Sequence, residues 1–185
     1  MANTLGIPYY VALLSAAETY GASPYAVMVT QVMVPERRRP ITVGRHEVVF
    51  HTCSRIKDMP TQWHETPDGR FRVSTPELTA LEIVEREALI GGMGRVREVL
   101  RQLWGACTPR GLTEALEAMQ EMPTAQRLGA LLTLDDRASL ASRVADWLRN
   151  KPLRLVPLER GQAPRSSKID STFKVRLAGS CLAPQ

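Results

Sequence analysis

Apolar positions recur along the chain with two periods, and the change from one to the other divides it. Near the start, Tyr10, Val11, Leu14 and Ala17 fall at helical spacing with Leu13 beside them, and Gly21 follows as a stop, which predicts a short buried helix within Tyr9 to Tyr20. The β-branched and Met-rich run Val27 to Val34 ends at Pro35 and reads as a strand. Ile41 to Val43 and His46 to Phe50 flank Gly44-Arg45, a two-residue Gly-X connection that predicts a β-hairpin. Thr66-Pro67-Asp68-Gly69 is a turn, because Pro presets φ and Gly accepts positive φ, and Phe71 to Ser74 resumes an extended stretch.

The period switches at Ser74-Thr75-Pro76-Glu77. Thr75 can cap a helix whose first residue is Pro76, where the missing N–H costs nothing, while Ser74 with Glu77 offers a competing capping-box frame. Leu78, Leu81 and Val84, widened by Ala80 and Ile83, then form an apolar stripe up to Gly91-Gly92. Val96, Val99, Leu100, Leu103 and Trp104 give an unbroken helical series, and further helices are expected through Leu112 to Met119, Leu128 to Leu132 and Leu140 to Leu148. Beyond them Pro152, Pro157, Gly161 and Pro164 break up a basic stretch. Leu153 to Val156 is a candidate strand there, and Thr172 to Leu177 is a clearer one with alternating faces, expected to return to the first sheet.

Strands, then helices, then a strand predict an α+β fold with segregated elements. We expect a single domain over residues 1–185, sheet-rich at 1–75, helical at 76–148 and strand-containing with a basic tail at 149–185. No apolar run approaches the roughly 18 residues of a spanning helix. The N-terminus lacks the basic flank of a signal peptide, so a cytoplasmic protein without membrane contact is expected. Cys53, Cys107 and Cys181 are odd in number and far apart, which argues against a disulfide framework and a zinc ribbon.

The net charge of +5 is unevenly spread: residues 1–75 hold 8 basic and 6 acidic side chains, 76–148 hold 8 and 11, and 149–185 hold 8 and 2. A basic tail and the run Arg37-Arg38-Arg39 thus flank an acidic middle, a pattern suited to a polyanion because phosphate neutralisation dominates such affinity. The same charges also describe a solvated surface.

Constellations for catalysis are weak. His46, His51, Cys53 and His64 are the only metal-capable cluster, but their spacing fits no structural zinc pattern and His46 and His51 have opposite strand parity. They read as ordinary strand residues. Glu82, Glu85 and Glu87 lie beside Arg86 and read as a polar outer helix face. Asp58, Glu65, Asp68 and Lys57 do not form a restriction-type nuclease motif, and Ser15 and Ser74 have no GxSxG elbow. Gly91-Gly92-Met93-Gly94 follows a helix and lacks a P-loop lysine, so it reads as an interhelical turn with Gly94 before a helix start. No enzyme activity, cofactor or metal is expected.

Five stretches taken together resemble a known family: YYVALLSAAETYGAS (Tyr9 to Ser23), QVMVPERRRPITVGRHEVVF (Gln31 to Phe50), TPDGRFRVSTPELTALEIV (Thr66 to Val84), AQRLGALL (Ala125 to Leu132) and DSTFKVRL (Asp170 to Leu177). They resemble, in order and spacing, the C-terminal domain of the AbiEi family of AbiE-type antitoxins. The tyrosine pair with LLSAA and the stretch RVSTPELTALEIV are the most telling pieces. The resemblance implies a type IV toxin–antitoxin system of phage defence by abortive infection, in which the antitoxin counters a nucleotidyltransferase-like toxin without needing a stable complex with it. It also implies repression of the operon through an N-terminal winged helix-turn-helix. This chain begins at MANTLGIPYY, where such a domain would already have ended, and no recognition helix is visible in it.

On this reading the chain is an antitoxin and regulator whose partners are the toxin and operator DNA. Arg37, Arg38, Arg39 and Arg45 are the first candidates for phosphate contact, with Lys168, Lys174 and Arg176 as a second cluster, and such contacts position a protein without reading bases. The alternatives are a non-specific DNA- or RNA-binding or oligomerisation module and, less favoured, a nuclease-like enzyme.

Overall fold

The computed structural model describes residues 6–23, 28–44, 46–67, 69–161 and 167–177. It is α+β, as the order of periods predicts, with a six-stranded mixed sheet in the order β3-β4-β2-β1-β6-β5. The strands are β1 (Tyr10–Val11), β2 (Val29–Val34), β3 (Ile41–Val43), β4 (His46–Thr52), β5 (Thr61–Thr66) and β6 (Gly69–Ser74). β1 sits near the centre, antiparallel to β2 through Tyr10 opposite Met33 and parallel to β6 through Val11 opposite Val73.

The helix expected within Tyr9 to Tyr20 is therefore shorter than its apolar spacing suggests. Tyr10 and Val11 are claimed by strand pairing, and α1 spans Leu13–Thr19. Ala12 N–H donates to Gln31 O, and the Gln31 side chain accepts from Leu14 N–H, so β2 fixes where the helix can begin. Gly21, at φ 68°, ends it as expected.

The β3–β4 hairpin closes with Val43 opposite His46, and β5 and β6 close with Thr66 opposite Gly69, so both turns fall where their residues place them. β5 itself, TQWHET, is a strand the apolar pattern does not announce, because one of its faces is largely solvent-exposed.

Thr75 caps α2 (Pro76–Glu85), its hydroxyl accepting from Leu78 N–H at 3.3 Å. The capping-box alternative is not used: Ser74 Oγ pairs with Thr79 Oγ1 at 2.7 Å, and Glu77 turns elsewhere. α2 is buried from Pro76 through Val84 and forms the axis on which α1, α4, α5 and α6 pack. The expected continuous helix up to Gly91 breaks at Arg86, giving the single turn α3 (Glu87–Ile90). Gly91 and Gly92, both at positive φ, redirect the chain, and Gly94 lies inside α4 (Met93–Leu103) instead of ahead of it. A 3₁₀ turn, α5 (Pro109–Met119), α6 (Met122–Leu134) and α7 (Ala138–Leu148) complete the helical middle. Asp135 ties α4 to the end of α6, accepting from Arg97 Nε at 2.8 Å, Arg101 Nε at 3.1 Å and Trp104 Nε1 at 3.1 Å.

The C-terminal strands correct an expectation: they do not return to the first sheet. β7 (Val156–Pro157), β8 (Ile169–Asp170) and β9 (Val175–Arg176) form a separate three-stranded sheet in the order β7-β9-β8. Their backbone finds its partners on α6. Buried Gln126 donates to the carbonyls of Arg154 at 2.8 Å and Phe173 at 2.7 Å, and Arg127 Nε donates to Pro157 O at 2.9 Å. The predicted alternation holds, with Phe173, Val175 and Leu177 buried while Lys174 and Arg176 face outward to different degrees.

Candidate nucleic-acid interface

The basic residues singled out from sequence fall in two separate places, the connection after β2 and the small C-terminal sheet. Arg37, Arg38 and Arg39 are exposed on the connection that follows β2, after Cys53 N–H has closed the last sheet bond on Val34 O at 2.8 Å. Pro35 and Pro40 bracket the run, and a chain without their N–H groups cannot extend the ladder there. The run is therefore displayed off the sheet. Arg45 lies outside the described residues.

Lys168, Lys174 and Arg176 gather on the small sheet. Lys168 O accepts from Leu177 N–H at 2.8 Å, Arg176 pairs with Pro157 and Ile169, and Lys174, at φ 52°, reaches Leu153 O at 3.3 Å through Nζ. All three belong to the small sheet, but its register puts Lys168 opposite Leu177 and Arg176 opposite Ile169, on alternate faces, and none shares an element with Arg37–Arg39.

Around the other residues the sequence reading needs correction. Glu82 and Glu87 are not on a polar outer face: they are 3% and 4% exposed. Glu82 Oε1 accepts from the Tyr10 hydroxyl at 2.7 Å, and burial pushes its carboxyl up to about 7, opposed by that hydrogen bond and by Arg86 and reinforced by Glu85. The same burial, with the Glu82 charge, drives the Tyr10 phenol well above its usual range. Glu87 Oε1 accepts Arg160 N–H at 2.7 Å, pinning the C-terminal segment to α3. A run of charges hid both roles: α2 is buried along its length, and Glu87, in the single turn α3, faces the C-terminal segment.

The metal-capable side chains remain dispersed. His64 packs against Phe71 with ring centroids 5.1 Å apart, and burial followed by Arg86 lowers the pKa of His51. Among the described residues no group of three or more His, Cys, Asp or Glu side chains converges.

Charge counting also passed over the β5–β6 hairpin. Trp63 is 48% exposed, and the guanidinium carbons of Arg70 and Arg72 stand 4.5 Å and 5.2 Å from its ring centroid. The signal lay in the alternation of QWHE against RFRV on either side of Pro67-Asp68, which puts Trp63 and both arginines on one face of the hairpin.

A family model described as the AbiEi antitoxin C-terminal domain matches residues 10–134, more than half of the chain. Among solved structures, the RV2827C protein from Mycobacterium tuberculosis is similar in fold, with a TM-score of 0.62 and 15% identity over 92% of this chain and 62% of that one. At that identity the likeness concerns the fold alone, and this chain spans less than two thirds of that protein's length. No curated protein matches the sequence. Among the described residues no helix is long and apolar enough to cross a membrane.

Proposed function

The chain belongs to the AbiEi antitoxin C-terminal domain family, and on that premise we propose that it is the antitoxin of a type IV toxin–antitoxin system. Its opponent is a nucleotidyltransferase-like toxin, its setting the cytoplasm and its outcome abortive infection. The family match over residues 10–134 is the observation that carries this reading.

The chain acts without chemistry of its own. Among the described residues the carboxyl raised toward neutrality, that of Glu82, is committed to Tyr10 inside the core, which suits a structural pair better than proton transfer to a substrate. Its contribution to repression of the operon is phosphate contact through Arg37, Arg38, Arg39 and Arg45, with Lys168, Lys174 and Arg176 as a second patch. The exposure of Arg37–Arg39 between two prolines supports the first patch.

The test is co-expression of this chain with the toxin encoded beside it, scored as growth against an empty vector. Rescue is expected, and it would lodge antitoxicity in these residues. Persistent growth arrest with the chain soluble and folded would overturn the reading and leave the basic surface to a nucleic-acid-binding module of other purpose.

A further inference from the structure

One end of the six-stranded sheet gathers more than the arginine run. Because β1 is antiparallel to β2 and parallel to β6, the exit of β2, the entry of β1 and the start of β6 share that end. Strand spacing of roughly 5 Å gives that end of the sheet the span of a few nucleotides. Tyr9 and Arg70 stand there at the starts of neighbouring strands, while Arg37–Arg39 stand on the connection that leaves β2 for β3, beyond β4.

Beside them an open groove of about 240 Å³ is lined by Pro8, Tyr9, Ile56, Trp63 and Arg72 among others, so it offers two aromatic side chains and a cation to one occupant. Trp63 opposes Arg72 across the β5–β6 ladder, and Arg70 lies two residues earlier on the same face. Among the described residues neither arginine has a carboxylate within ion-pair distance, and Arg72 instead donates to Thr61 Oγ1 at 3.3 Å. Glu65 stands opposite Arg70 on this face without closing an ion pair, so two cations held against an exposed indole stay available to a ligand that is anionic and also has a π face. A duplex keeps its base faces stacked inside; an unpaired strand presents them.

We infer that this end of the sheet binds single-stranded nucleic acid, with one unpaired base in the groove against Trp63 and Tyr9. Arg70 and Arg72 take the adjoining phosphates and Arg37–Arg39 extend the track. Nothing in this site depends on the antitoxin reading, since toxin neutralisation and strand binding are separate measurements.

The experiment titrates the whole chain into a fluorescein-labelled oligouridylate of about ten nucleotides, a length within the usual range of single-strand sites. A duplex of equal length and an acidic peptide serve as competitors, over a range of salt. The single strand is expected to bind in preference to both. Trp63→Ala should weaken it on the order of 10-fold, Trp63→Phe should retain most of the affinity, and Trp147→Phe should change nothing. Arg70→Ala with Arg72→Ala should flatten the salt slope by about 1.4, two contacts' worth for a single strand. Circular dichroism melts confirm that each variant is folded. Absence of binding at low salt, equal affinity for the duplex, equal competition by the peptide, or indifference to Trp63→Ala in a folded variant would each overturn the proposal.

Discussion

Glu77 stands in the first turn of α2, yet its carboxylate serves the start of α5: Oε1 accepts from Thr108 N–H at 2.7 Å and from the Thr108 hydroxyl at 2.9 Å. Thr108 in turn caps α5, accepting from Gly111 N–H at 3.0 Å. A negative charge, 4% exposed, is thereby held where orphan N–H groups and the helix dipole favour it. Gly111 leaves the room this requires, because a Cβ there would run into the Glu77 carboxylate.

Glu77→Ala should lower stability by about 2–3 kcal/mol, the combined worth of a charged hydrogen bond and the dipole interaction. The change should be read as a lower urea midpoint at unchanged m. Gly111→Ala should be costly beside Glu77 and much cheaper in the Glu77→Ala background, with a coupling of about 1 kcal/mol or more. A coupling near zero would mean that the carboxylate moves aside freely and that the contact is incidental.

Glu82 sets a pH dependence of definite sign. Its carboxyl is raised from 4.5 to about 7 in the fold, chiefly by burial, so the folded protein keeps a proton that the unfolded chain has released. Its stability is then fullest below about 4.5 and is lost as pH rises toward 7, by up to about 3 kcal/mol. Glu82→Gln keeps an acceptor for Tyr10 and removes the titration. Denaturant unfolding at intervals from pH 5 to 8 should show the variant gaining on the parent as pH rises; parallel curves would show that Glu82 is already ionised in the fold.

The elements legible in the sequence were those fixed by local chemistry. Thr75-Pro76 and the competing Ser74-Glu77 frame placed the start of α2 to within a residue, Gly21 the end of α1, and Gly44-Arg45 and Pro67-Asp68 the hairpin turns, because each depends on φ or on a missing N–H within a few residues. What stayed hidden was decided by distant partners. Tyr10 reads as a helix position until β2 and β6 claim its neighbourhood, Glu82 as a solvated charge until core closes over it, and β9 as a returning strand until Gln126 takes up Phe173 O. The arginine run was visible as charge, whereas the stack of Arg70 and Arg72 on Trp63 needed the register of a strand, β5, that the apolar pattern had not disclosed.

The small sheet hangs on α6 through two features that can be broken separately. Gln126→Leu leaves the Arg154 and Phe173 carbonyls without their donor and should cost about 2–3 kcal/mol. Gly129→Ala would gain helix propensity of about 1 kcal/mol, yet a Cβ there collides with the Phe173 ring, so a net loss is expected. Hydrogen exchange should show faster opening in residues 153–177 while α2 stays protected in both variants. Uniform acceleration across the chain would instead make the small sheet part of one cooperative unit.

Arg37→Ala combined with Arg39→Ala tests the phosphate patch without threatening the fold. Both side chains are exposed and lie on a connection outside the ladder, so stability should stay within about 0.5 kcal/mol of the parent. Each phosphate contact contributes a slope of about −0.9 to log affinity against log salt on duplex DNA. Removing two should flatten the slope by about 1.8 and weaken binding similarly for unrelated sequences, because such contacts position the protein without reading bases. The readout is a salt titration against DNA from upstream of the chain's own gene, with a scrambled duplex alongside. An unchanged slope would discard Arg37 and Arg39 as phosphate ligands, and a loss confined to the upstream sequence would assign them to base readout instead.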